Sequence, residues 1–332
     1  MTTNVAAAGR LEPLQTAREV SQLLIIVRRF VRHRLALVSL FVMALIFLVS
    51  VFAPKIAPYG PTDIVVGSRF VKPLGHSPIT GNLHILGTDQ IGRDLFSRIL
   101  YAARISLTVA ITATILSELF GMIIGAISGY YRGWVDAVLM RFVEFMLTIP
   151  SLILLLVISA MLLANPRLVP VPAFFKVILS KVMLIAEREA HQAAIVIVVL
   201  TAFGWMNAAR LMRGMVLSLR EMDFTEALRA LGASDARIIF RHMIPNALAP
   251  IIVDASLALG GFIVLEAALS FLGFGIQDPT PTWGNMLAAA QNYMFDNPWL
   301  PLIPGTPIFL CSLAFNYIGD GLRDALDPRL KR

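Results

Sequence analysis

Three acidic residues stand in stretches that are otherwise too apolar to hold them cheaply. Glu118 lies in a run from 105 to 129, and Asp254 and Glu266 lie in a run from 247 to 271. An ionised carboxylate at membrane depth is costly unless it finds a partner, a wet cavity or a proton. The chemistry open to such groups is recognition of an ammonium or other cation along a solute path. Hydrogen bonding between helices, or a position at the membrane interface, accounts for them equally well. Nothing else in the chain reads as reactive. The lysines, at 55, 72, 176, 181 and 331, never follow a glycine, so a Gly-Lys-Ser/Thr phosphate loop is missing. His33, His76, His84, His191 and His242 are scattered without metal-ligand spacing, and there is no Gly-x-Ser-x-Gly elbow or zincin helix. No catalytic residue, metal site or bound cofactor is therefore assigned, and any ATP hydrolysis coupled to this chain belongs to another one.

A second kind of chemistry, docking, is written in the charged island from Asp223 to Pro245 between two apolar stretches. Asp223 and Glu226 have the spacing of a capping box, which predicts a helix capped by Asp223. Phe224, Ala227, Leu228 and Leu231 share one face of it. Gly232 suits the left-handed residue that closes such a helix, Ser234 is placed to cap the next one, and Pro245 opens a new apolar run. Arg229, Arg237 and Arg241 form a basic rim. On these residues alone, a helix lying on the membrane surface stands beside the docking reading.

Composition supplies the setting. With 332 residues, 57% of them hydrophobic and 15% charged, and a mean hydropathy of +0.76, the chain belongs in a bilayer. The net charge of +7 and the pI near 9.9 come from basic residues that flank apolar spans and form no aromatic-interleaved patch. They fit anionic lipid headgroups and an orientation signal and not nucleic acid. The single cysteine, Cys311, allows no intrachain disulfide.

The fold expected is an all-α polytopic membrane protein with six spans. Residues 1–34 form a cytoplasmic segment in which Leu14, Val20, Leu23 and Leu24 outline a short amphipathic helix. Residues 35–53 form a retained first span that Pro54 ends, and 54–104 form an external loop. Residues 105–321 form a five-span core, with spans near 105–129, 137–164, 192–212, 247–271 and 301–321, and 322–332 form a cytoplasmic tail. Arg141, Glu144 and Pro150 make the third span irregular, with an interfacial or kinked first part. Arg28, Arg29, Arg32 and Arg34 before the first span, and Arg323, Arg329, Lys331 and Arg332 after the last, place both termini in the cytoplasm. Four spans precede the island, which puts it on the same side. Gly121, Gly125 and Gly129 make one smooth helix face suited to close packing. The segment 165–191 is expected to fold against the external face, and 272–300 to make an external or re-entrant turn anchored by tryptophan.

Several strings carry a family resemblance. Glu226-Ala227-Leu228, Gly232 and Ile244-Pro245 resemble the EAA loop of permease subunits of bacterial ATP-binding-cassette importers, with Leu228 where the usual triplet has a second alanine. The string Phe-Arg-His-Met-Ile-Pro-Asn at 240–246 and Leu86-Gly87-Thr88-Asp89-Gln90-Ile91-Gly92-Arg93-Asp94 before the second span resemble the dipeptide, oligopeptide and nickel branch. Asp89, Arg93, Asp94 and Arg98 are spaced for local pairing, and Gly87 and Gly92 for tight bends. Further similarity lies in Glu266–Gly275 and in Ala314–Arg329.

The resemblance implies a permease subunit of an ATP-driven importer of di- or oligopeptides in the cytoplasmic membrane of a bacterium or archaeon. Its implied partners are a homologous permease, two ATPase subunits that carry ATP and Mg, and an extracytoplasmic binding protein. The same resemblance assigns ATPase coupling to Asp223, Glu226, Ala227, Leu228, Arg229, Gly232, Arg237, Ile244 and Pro245. Nickel or oligosaccharide cargo remains open within the branch. The alternatives of another class are an ion-coupled secondary transporter, for which the buried carboxylates would be central, and a structural or signalling membrane subunit. The absence of an inverted pair of interrupted spans stands against the transporter.

Overall fold

In hydrocarbon a backbone must satisfy its own hydrogen bonds, so the long apolar runs of this sequence have one open solution, the helix. The computed structural model describes residues 22–326, and Leu14, Val20, Arg329, Lys331 and Arg332 lie outside the described residues. In chain order the helices are α1 (Gln22–Arg32), α2 (Arg34–Val51), α3 (Ala53–Ile56), α4 (Leu95–Tyr131), α5 (Gly133–Thr148), α6 (Ser151–Ala164) and α7 (Ala173–Met183). They continue as α8 (Glu187–Gly204), α9 (Met206–Arg220), α10 (Asp223–Ala230), α11 (Asp235–Ile238), α12 (Ile244–Phe271), α13 (Trp283–Gln291) and α14 (Trp299–Leu326). A π-helical turn, Ile239–Met243, joins α11 to α12.

α2, α4, the continuous helix from Asp235 to Phe271 and α14 are each long and apolar enough to cross a membrane. The bent pairs α5 with α6, at 90°, and α8 with α9, at 41°, raise the number to six when each pair is one span. The all-α, six-span architecture is therefore present, with shifted boundaries. α2 ends at Val51, and Pro54 sits in the first turn of α3. The second span starts at Leu95 and not near 105, because the Asp94 carboxylate accepts a hydrogen bond from the Ser97 amide at 2.7 Å and caps it there. The third turns sharply at Ile149 and Pro150, and the fourth runs on to Arg220. Pro245 does not open a separate helix, since the π turn carries the helix through it. Segment 165–191 is largely helical through α7, and segment 272–300 contains α13, which a Thr282–Asn285 capping box begins. Among the described residues the only strand pairing outside single bridges is a two-stranded antiparallel ribbon, Gly75–His76 with Leu83–His84.

On the side expected to be external, the loop before α4 is closed by charge. Asp89 accepts from Arg93 Nε at 2.6 Å, Arg93 donates to both Asp278 oxygens at 2.9 Å, and Arg98 donates to Asp278 at 3.1 Å. Burial opposes charge on Arg93, but the Asp278 and Asp89 carboxylates outweigh it and raise its pKa. The expected local pairing holds for Asp89 and Arg93 but not for Asp94 and Arg98. Asp94 lies outside the helix, where it caps α4 and binds His84 Nδ1 at 2.8 Å, so Arg98 reaches across to the loop before α13.

The inner seam of the bundle is a backbone contact. A Cβ added at Gly121 would lie 2.4 Å from the Trp205 carbonyl oxygen, one at Gly125 2.2 Å from that of Ala209, and one at Gly129 2.8 Å from that of Arg213. α4 and α9 therefore touch along a stripe where no side chain fits. Hydrocarbon gives helices little hydrophobic reason to associate, so such close packing carries much of the contact. Gly125→Val should therefore destabilise the purified protein by about 2–3 kcal/mol or prevent its accumulation. Gly214→Ala, on α9 but with nothing within 4 Å of its added Cβ, should leave the detergent-solubilised melting temperature unchanged or slightly raised.

Candidate functional site

The end of α9 runs directly into the charged island, and short-range bonds fix how the island leaves it. The Thr225 hydroxyl donates to the Leu219 carbonyl at 2.8 Å. α10 starts one residue earlier in register than its sequence predicts. Met222 occupies the cap and makes no side-chain bond, so Asp223 is the first helical residue and no capping box forms with Glu226. The carboxylates of Asp223 and Glu226 still lie in the first turn, where the helix dipole favours them.

α10 closes in a Schellman motif. The Ala233 amide donates to the Leu228 carbonyl at 3.0 Å and the Gly232 amide to that of Arg229 at 2.9 Å, with Gly232 at a φ of +77°. Ser234 does occupy the cap of α11, although its side chain makes no capping bond.

Two faces result. Phe224, Leu228 and Ala233 pack on Tyr130, Met212, Val216 and Ile238, and Ile244 joins the same cluster. Ala227 turns outward and Leu231 is 83% exposed, so the four apolar residues expected on one face do not all meet the bundle. The face follows from the closure: at Gly232 the chain reverses, and Leu231 is left on the rim. Glu226, Arg229, Arg237 and Pro245 are exposed around it. An apolar residue ringed by charges, on a helix locked at both ends, is a surface built for contact.

Tyr130 at the end of α4 ties the island to the bundle. Its hydroxyl donates to Asp235 at 2.6 Å, and the Arg229 guanidinium lies over its ring at 5.2 Å. About two turns back along α9 from Arg220, Arg213 makes a two-pronged bond with Asp136 of α5, Nε to Oδ1 at 2.5 Å and a second nitrogen to Oδ2 at 2.6 Å. Ser128 of α4 donates to the same carboxylate at 2.5 Å. Three helices thus meet at one ion pair. Sequence reading missed Tyr130, Asp136 and Arg213. The signal available was a lone acid and a lone base at the ends of two apolar stretches.

The three carboxylates, Glu118 and Glu266 buried and Asp254 half-buried, do not form one site. Glu118, 6% exposed, lies about one turn before Gly121 and within electrostatic range of Asp254. Asp254 lines a cavity of about 600 Å³ among α9, α12 and α14. Glu266 is fully buried elsewhere and accepts from Ser270 Oγ at 2.8 Å. Glu266 thus lies among packed helices, apart from the cavity that Asp254 lines. Among the described residues no group of His, Cys, Asp or Glu has the arrangement of a metal site.

Known proteins are similar to this chain over most of its length. Residues 121–332 match the family described as binding-protein-dependent transport system inner membrane component. Residues 21–73 match the N-terminal TM domain of oligopeptide transport permease C. A dipeptide transport system permease protein, DppC, of Alkalihalophilus pseudofirmus is 39% identical over 300 residues, covering 90% of this chain and 88% of that protein. The oligopeptide transport system permease protein OppC of Mycobacterium bovis is 34% identical, with 92% and 94% covered. The glutathione transport system permease protein GsiD of Pectobacterium atrosepticum is 35% identical, with 92% and 90% covered.

The Asp136–Arg213 pair is partly shielded, with side chains 17% and 34% exposed. A double-mutant cycle of Asp136→Ala and Arg213→Ala, read by thermal unfolding in detergent, should give a coupling of about 1–2 kcal/mol. Additive effects would mean the pair contributes nothing.

Proposed function

This chain belongs to the family of binding-protein-dependent transport system inner membrane components, and we propose that it is the peptide-conducting permease subunit of an importer driven by separate ATPases. Permease function follows from the family. The peptide cargo rests on the names of the relatives, two of which are dipeptide and oligopeptide permeases and one a glutathione permease.

The observation that carries the drive mechanism is the island's geometry, a rigidly closed short helix presenting Leu231, Ala227 and Glu226 outward from the end of α9. We assign ATPase docking to this segment, with Asp223, Glu226, Ala227, Arg229, Gly232, Arg237 and Pro245 on its exposed face and Leu228 and Ile244 anchoring it to the bundle. A homologous permease, two ATPases holding ATP and Mg, and an extracytoplasmic binding protein complete the assembly, with both termini of this chain in the cytoplasm. The chain itself holds no nucleotide.

Closure of the ATPases would displace α10. The Schellman closure and the Thr225–Leu219 bond pass that displacement to α9 without slack. From α9 it reaches α4 through the glycine seam and α5 through Arg213 and Asp136. α4 carries Glu118, so motion at the island alters the surroundings of the acidic groups within the bundle. The bundle then has two packings whose balance nucleotide sets.

Glu226→Arg and Leu231→Asp should abolish ATP-driven peptide uptake in proteoliposomes while the subunit still inserts, and Gly232→Pro should do the same by breaking the closure. Wild-type uptake by all three would overturn the docking assignment.

A further inference from the structure

The cavity lined by Asp254 is also lined by an opposite charge. Arg323, in the last turn of α14, lines it together with Leu211 and Met215 of α9, Pro250 and Leu257. The register of α12 against α14 sets the depth of both charges. A Cβ on Gly260 would lie 3.2 Å from the Ser312 carbonyl oxygen, and one on Gly319 would lie 2.7 Å from Leu257 and 2.8 Å from Ser256. The two helices therefore run antiparallel. One further turn along α14 brings Arg323 level with Val253 and Asp254. Although they share a cavity and a depth, neither Asp254 nor Arg323 has a hydrogen bond or ion pair among the described residues. A half-buried acid and an exposed base, neither with a partner, on walls whose one other polar residue is Asn246, leave two opposite charges for a ligand to answer.

We propose that this cavity binds a zwitterion, its ammonium group to Asp254 and its carboxylate to Arg323, with the aliphatic residues between taking a short side chain. The ligand class is a free amino acid or short peptide with both termini unblocked. About 600 Å³ suits such a molecule. The guanidinium offers the planar fork that a carboxylate accepts. Placement follows from the helices: Arg323 is within one turn of the end of α14, and Met215 is within about two turns of the island. The cavity thus sits at the end of the bundle where the island docks, on the exit side of the path. This inference rests on the permease reading and deepens it, because it gives Asp254 a partner and a ligand.

The test is binding of radiolabelled alanyl-alanine to the permease–ATPase complex in lipid nanodiscs in two conditions, nucleotide-free without the binding protein and with ATP and loaded binding protein, with N-acetyl-alanyl-alanine and alanyl-alanine amide as competitors. Saturable binding is expected. Each blocked dipeptide should compete at least about tenfold more weakly than the free one. Asp254→Asn and Arg323→Gln should each weaken binding by a similar factor while complex yield stays at the wild-type level. Exchanging the charges, Asp254→Arg with Arg323→Asp, should restore binding with the ligand reversed. Binding to the nucleotide-free complex identifies a cytoplasmic source. Binding that requires ATP and loaded binding protein identifies cargo in transit, and either supports the site. No binding by the wild type in both conditions, or binding indifferent to both substitutions, overturns it. ATP-driven uptake that persists in that case leaves the permease reading intact, so the two failures are distinguishable.

Discussion

The whole arrangement depends on the close approach of α4 and α9 backbones. Three glycines spaced one turn apart let carbonyl oxygens of α9 sit where side chains would otherwise stand. Water does not drive helices together inside a bilayer, so contact must come from packing and polar bonds. The seam provides the first, and the Asp136–Arg213 pair and the Tyr130–Asp235 bond provide the second at its end. Because α9 continues into the island, the same seam that holds the bundle together decides what moves when the island is pushed.

This gives the molecule a directional build. One end is fixed by Arg93, Arg98, Asp89 and Asp278, which tie the loop before α4 to the loop before α13. The side of the island is different in kind. There an exposed Leu231 and a ring of charged residues sit on a helix whose ends are locked but whose outer face is bare. Between the two lie Glu118 and the cavity of Asp254, next to the elements that the island would carry. On the proposed reading, a push at the island becomes a change of packing inside the bundle.

Much of this was legible from residue order. Apolar run lengths located the spans, because a helix must be long enough to cross hydrocarbon, and Gly232 announced the left-handed closure because few other residues tolerate it. The glycine spacing announced a smooth face without naming the helix that meets it. Details that turn on a single residue of register were not legible. Whether Asp223 or Met222 caps α10 depends on how the chain leaves α9, which the Thr225–Leu219 bond decides. Periodicity grouped Leu231 with Phe224 and Leu228, but a face counts as buried only if something covers it, and the turn at Gly232 takes Leu231 past the edge of the bundle. Asp94 was readable as a charge and not as a cap. Asp278 and Arg213 find partners far along the chain, so spacing carries no trace of them. Arg323 reads in sequence as an orientation signal, and only the register of α12 and α14 sets it opposite Asp254.

The central claim is that the outer face of α10 is a cytoplasmic docking surface for a motor subunit. Cys311 is buried, so Leu231→Cys creates the one exposed thiol among the described residues. Its labelling by a membrane-impermeant maleimide in inside-out vesicles, with and without the bound ATPase, is the most direct test. The account predicts rapid labelling from the cytoplasmic side only, and strong protection when the ATPase is bound. Labelling from the external side, or equal labelling with and without the ATPase, would contradict it.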